Sequence, residues 1–122
     1  MMDGPLDRST LAGLREGLQR QRDHLRDEIH AQGADPDSDD LTFVDDVGFA
    51  DRSHSTEERS RVLSVVRALR SNLRDAERAL AKMDAGTYGT CERCGRPIAL
   101  ERLEALPWAV LCIEHAQRAG ER

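Results

Sequence analysis

Cys91-Glu92-Arg93-Cys94 is followed, after seventeen residues, by Cys112-Ile113-Glu114-His115. Two residues between the members of each pair let both side chains turn toward one point, and seventeen are enough for the chain to return and close a tetrahedron. Thiolate and imidazole donors suit zinc, which is borderline-soft and has no redox chemistry of its own. Cys91, Cys94, Cys112 and His115 are therefore the expected ligands of one zinc ion. Four protein ligands leave no open position for water or substrate, so the expected site holds structure and the chain is expected not to be an enzyme. Three thiolates give the centre a formal charge of −1, and the backbone amides around Gly95 and Arg96 are expected to donate to the sulfurs. His24, His30 and His54 have no comparable spacing and read as solvated.

Something must hold these ligands, and the rest of the sequence is written for helices. Leu11, Leu14, Leu18, Gln21 and Leu25 recur three and four residues apart, with Ile29 one turn further on. Val62, Val66, Leu69, Leu73, Ala76, Leu80 and Met83 keep the same alternation over three heptads. The second segment opens on Ser55-Thr56-Glu57-Glu58, a reciprocal capping pattern, and closes at Gly86. The first stops near Gly33, where a residue without a Cβ can take the left-handed conformation.

The expected fold is mostly α: helices over about 8–32 and 56–85 pair as a long antiparallel coiled coil, with an acidic tip over 33–55. Residues 1–85 form this hairpin, and 86–122 form a zinc finger with a short C-terminal helix. Periodicity alone does not separate pairing within a chain from pairing between chains. The expected state is a monomer.

Aromatic residues make up only 3% of the chain against 34% charged, which disfavours a broad sandwich or barrel core. No run approaches the ~20 apolar residues that cross a bilayer, and the start lacks the pattern of a secretory leader. Three cysteines confined to one motif suit a reducing compartment, so a cytoplasmic location is expected. Residues 33–55 carry seven aspartates against the single cation Arg52, a local charge of −6 within a chain of −5. Leu41, Phe43, Val44, Val47 and Phe49 lie among those acids, too many apolar groups for a segment that only solvates. From Cys91 onward five arginines face five glutamates. A neutral finger cannot release the counterions that drive phosphate binding, so sequence-specific DNA binding is not expected.

The run Gly86-Thr87-Tyr88-Gly89-Thr90-Cys91-Glu92-Arg93-Cys94-Gly95, with Ile98, Arg102-Leu103-Glu104-Ala105, Pro107 and Leu111-Cys112-Ile113, closely resembles the zinc finger of the DksA/TraR proteins. The resemblance implies a regulator that binds RNA polymerase, inserts a coiled-coil tip into the secondary channel and changes the stability of open promoter complexes. The polymerase-contacting tip it implies comprises Asp45, Asp46, Phe49, Asp51, Arg52 and Ser53. Asp51 and Ser53 match the second Asp and the Ala of the family's Asp-x-x-Asp-x-Ala tip motif. Gly48 and Ser53 stand where the first Asp and the Ala belong.

The basic side chains that bind guanosine tetraphosphate in the family's best-known member match Asp75, Leu106 and Ala116, none of them basic, so no response to that nucleotide is expected here. His115 stands where the family commonly has a fourth cysteine. Two readings from other classes stay open at this point. One is a transcript-cleavage stimulator similar to the Gre proteins, whose tip acids help a second Mg²⁺ activate water. The other is an interaction module in which the heptads dimerise and the finger docks an unrelated partner.

Overall fold

The computed structural model describes residues 6–37 and 56–120. The residues expected to form the polymerase-contacting tip, Asp45, Asp46, Phe49, Asp51, Arg52 and Ser53, lie outside them, as does the capping residue Ser55. Among the described residues the helices are, in order, α1, Arg8–Ala31; α2, Thr56–Ala85; α3, Leu100–Ala105; and α4, Ile113–Arg118. An isolated antiparallel bridge pairs Thr90 with Pro97. No described helix is long and apolar enough to cross a membrane.

Local chemistry sets the helix ends. Asp7 Oδ1 accepts the Thr10 amide at 2.7 Å and caps the first turn of α1, and that contact holds the Asp7 carboxyl below its usual range. At the other end Gly33 takes φ 90°. The Ala34 amide then reaches the Ile29 carbonyl at 3.1 Å, and the Gly33 amide reaches His30 at 2.9 Å. Gly86, at φ 78°, closes α2 in the same way, with Thr87 N donating to Lys82 O at 2.9 Å and Gly86 N to Met83 O at 3.2 Å. In both caps a glycine supplies the left-handed residue that lets two otherwise orphaned carbonyls be satisfied.

The chain divides into two compact units, Gln21–Arg74 and the pair of segments Met1–Arg20 and Asp75–Arg122. In the first, Leu25 and Ile29 of α1 and Val66 and Leu73 of α2 share a core with Ala34, with Val62 and Leu69 packed against it. Arg70 is only 4% exposed there. Its place four residues after Val66 and three before Leu73 puts it on the core face, where hydrophobic periodicity gives no hint of a charge.

The second unit contains the motif. Its core joins Leu18 of α1 and Ala76, Ala79, Leu80 and Met83 of α2 to Tyr88, Cys91, Ile98, Leu103 and Ala109. Leu6, Leu11, Leu14, Leu106, Trp108 and Leu111 pack around it. Arg15 and Asp84 tie the two helices at 3.0 Å. The cysteine motif is thus built directly onto helix ends, and Cys91 itself is part of the core.

Candidate metal centre

Gly89 starts the motif at φ 85°, and a Cβ there would sit 2.6 Å from Leu6 Cδ1. The left-handed backbone favours glycine here, and a Cβ would also force the end of the Leu6 side chain to shift. A short ribbon follows: Ile98 N donates to Gly89 O at 2.7 Å, and Cys91 N donates to Arg96 O at 2.9 Å. The hairpin turns at Gly95, φ 75°, whose amide donates to Cys91 O at 2.9 Å. This turn brings the Cys91 and Cys94 side chains to one side. Cys112, extended at φ −68° and ψ 166°, immediately precedes α4, so His115 in its first turn falls beside it.

The two halves are laced together from the backbone. Glu92 N donates to Val110 O at 2.9 Å, and Arg102 Nε of α3 donates to Leu111 O at 3.0 Å. Tyr88, buried in the same core, donates its hydroxyl to Pro107 O at 2.8 Å.

One donor atom from each of Cys91, Cys94, Cys112 and His115 falls within 4.8 Å of every other. Cys94 Sγ lies 3.9 Å from Cys112 Sγ, and His115 Nδ1 lies 3.7 Å from Cys91 Sγ and 3.3 Å from Cys112 Sγ. Tetrahedral zinc with its usual bond lengths spans about 3.8 Å between two sulfurs and about 3.6 Å between sulfur and nitrogen. The donor set and its spacing fit a structural zinc. The ion would be held through Nδ1 of His115, which leaves Nε2 for a second partner that fixes the ring.

The electrostatics agree. Burial pushes the Cys91 thiol up, but amides of Cys112, Cys94 and Arg93 donating to its sulfur outweigh that and bring it down to about 6. The Arg93 N to Sγ distance is 3.4 Å. At Cys94 the Arg96 amide favours the thiolate, yet burial and the sulfurs of Cys91 and Cys112 win and raise it. Sulfurs packed this closely resist joint ionisation until a cation sits among them. Of the amides around Gly95 and Arg96, that of Arg96 favours the Cys94 thiolate. That of Gly95 does not, because closing the turn onto the Cys91 carbonyl uses its N–H.

Tyr88 is the sole tyrosine in the chain, and burial raises its phenol to about 12. Ultraviolet titration is therefore expected to show one phenolate appearing near pH 12 rather than near 10. Because the folded value lies above the unfolded one, the stability Tyr88 contributes is complete below pH 10 and is lost between pH 10 and about 12. A midpoint near 10 in folded protein contradicts this placement of the ring.

A closed Cys3His donor set on a ribbon and two six-residue helices defines a structural zinc finger of a mostly helical protein. The family described as prokaryotic dksA/traR C4-type zinc finger matches residues 86–119. The chain is 34% identical over 109 residues to the RNA polymerase-binding transcription factor DksA of Escherichia coli K12, covering 89% of this chain and 70% of that protein. With the protein of the same name from Caulobacter vibrioides NA1000 it shares 37% identity over 73 residues, 60% of this chain and 51% of that one. Among solved structures it is similar to transcription factor DksA2 of Pseudomonas aeruginosa, with TM-score 0.69 and 29% identity, covering 95% and 87% of the two chains. The chain belongs to the DksA/TraR family. Its fourth donor is the point of departure, since the family description is C4-type and position 115 here is histidine.

Proposed function

We propose that this protein is a transcription regulator that binds RNA polymerase and inserts the tip of a coiled-coil hairpin into the secondary channel to modulate initiation. The observation that carries the reading is the match to an RNA polymerase-binding transcription factor over 109 residues, because it spans the helices as well as the finger. In this reading residues 1–85 are the hairpin and 86–122 the finger, with Cys91, Cys94, Cys112 and His115 holding one zinc. Zinc supplies structure only: it fixes the ribbon, α3 and α4 and leaves no open coordination position.

The tip acts through Asp45, Asp46, Phe49, Asp51, Arg52 and Ser53. Carboxylates suit Mg²⁺, but that ion keeps waters and octahedral geometry, so the tip perturbs the channel loops by bulk and charge rather than by capturing the catalytic metal. The protein works as a cytoplasmic monomer, catalyses no reaction and reads no DNA sequence.

Competition with other secondary-channel factors for core polymerase tests this reading. The expected result is mutual displacement and altered open-complex lifetime. Shortening of transcripts in stalled elongation complexes would instead support a Gre-like cleavage stimulator, and a dimeric solution mass would support the interaction module.

Guanosine tetraphosphate is expected to leave the protein's effect unchanged within about twofold, since a polyphosphate needs cations or clustered amides. Ala116 is fully buried and Leu106 packs against the finger core, which supports that expectation. A several-fold nucleotide response in a promoter-complex assay contradicts it.

A further inference from the structure

Glu92 lies inside the first cysteine pair yet contributes nothing to the donor set. Its side chain is 30% exposed and reaches toward α2. Oε1 accepts from Arg78 Nη2 at 2.5 Å, and Oε2 lies 3.5 Å from Lys82 Nζ. The two cations sit four residues apart, on adjacent turns of one helix face, so they take the two oxygens of one carboxylate from the same side.

Lys82 has a side chain 14% exposed, and its carbonyl is the one that closes the α2 cap with Thr87. The Glu92 amide meanwhile donates to Val110 O, two residues before Cys112. Glu92 therefore joins three pieces: the first cysteine turn, the segment leading to the second ligand pair, and the last turns of α2. An isolated surface ion pair contributes little, but here one carboxylate meets two cations, Lys82 is largely covered, and the Glu92 amide and Lys82 carbonyl are each held by a backbone hydrogen bond.

We infer that Glu92 is a positioning residue that couples zinc capture to the order of the C-terminal turns of α2 through Arg78 and Lys82. Zinc fixes the Cys91–Cys94 turn, and the turn fixes the carboxylate. The carboxylate in turn holds the helix end to which the rest of the core is attached. By linkage the dependence is mutual: whatever frees the helix end weakens the grip on zinc, and loss of zinc loosens residues 78–85. The inference rests on the assignment of Cys91, Cys94, Cys112 and His115 as ligands.

The exchange pattern along α2 and the non-additivity with Arg78 and Lys82 separate this role from background electrostatics. Glu92→Gln removes a negative charge and leaves two cations nearby. Loss of a carboxylate beside a dication also weakens its hold by charge alone, so faster release is read together with exchange along α2 and with the coupling to Arg78 and Lys82. The test is zinc transfer from the full-length protein to a chromogenic chelator, with amide exchange recorded along α2.

Glu92→Gln is expected to release zinc about 3- to 10-fold faster, a shift of about 0.6 to 1.4 kcal/mol by the factor of ten per 1.36 kcal/mol. Exchange is expected to accelerate over residues 79–85 and stay unchanged over 62–73. Arg78→Met with Lys82→Met should reproduce both effects, and adding Glu92→Gln to that pair should change little more. The exchanged pair Arg78→Glu with Glu92→Arg should recover at least part of the loss.

Release from Glu92→Gln that is unchanged or slower overturns the inference. So does faster release with exchange at 79–85 unaltered, or full additivity of the helix and turn substitutions. Failure of the wild type to bind zinc would instead remove the ligand assignment on which the inference rests.

Discussion

Cys91→Ser is expected to reduce the protein from about one zinc per chain to a substoichiometric content and to unfold the segment that surrounds the motif. Cys91 is the ligand for which the change should be most damaging, because it has two roles. Its sulfur faces the other three donors, and at 2% exposed it is also packed in the core with Ile98, Leu103 and Met83. Structural zinc contributes about 10–16 kcal/mol of apparent binding energy in small finger peptides, more than the whole stability of most small domains. Oxygen of serine does not replace a thiolate in that shell.

The ribbon, α3 and α4 have little else to hold them, since two six-residue helices are far too short to persist alone. Metal analysis of freshly purified protein and amide exchange over residues 86–120 are the measurements. Gln21–Arg74 has its own core and should keep its protection. Full zinc content in Cys91→Ser would contradict the site.

Leu18→Ala is expected to cost ~3–5 kcal/mol, the upper part of the range for buried leucines. The magnitude follows from the neighbours. Leu18 is completely buried, and its core partners on α2 include Ala76 and Ala79, also fully buried. Alanines have no rotamers with which to fill a gap, and the backbones that carry them are held by the rest of the core, so the cavity stays open. Denaturation of the zinc-loaded protein gives the value. For a domain near this size each kcal/mol lowers the Tm by roughly 4–8 °C, so a fall of more than about 12 °C is expected. A loss below 1 kcal/mol would mean that the site collapses and that the two helices are not packed as described.

The sequence made the helical class readable because α1 and α2 repeat their apolar positions at helical spacing, and such a pattern has few other uses. Val66, Leu73, Ala76, Leu80 and Met83 are buried where that period puts them. The four donors that the two-residue spacings pick out come within 4.8 Å of one another, since a short turn and a helix start are local geometries. Packing between distant segments was not readable. Ala79 and Arg70 lie off the heptad pattern yet are buried, at 0% and 4% exposed.

Leu6, well before the periodic run, reaches Gly89. Nothing local announces α3, a six-residue helix without a side-chain cap that places Leu103 in the core and Arg102 against Leu111. Which of the amides around Gly95 and Arg96 faces a sulfur depends on the hydrogen bonds that close the turn, and those are set only once the ribbon forms. The Glu92 contact with Arg78 and Lys82 was equally hidden, because charged residues ten and fourteen positions apart carry no periodic mark.

Entry of the acidic segment after α1 into the polymerase is the step on which the proposed regulation depends. Its most direct test is a photo-crosslinker placed at position 51 of the full-length, zinc-loaded protein bound to core RNA polymerase. The account predicts adducts on polymerase residues that line the secondary channel near the catalytic centre, suppressed by a competing channel factor. Adducts confined to the outer surface of the enzyme, or adducts that persist undiminished under competition, would contradict it.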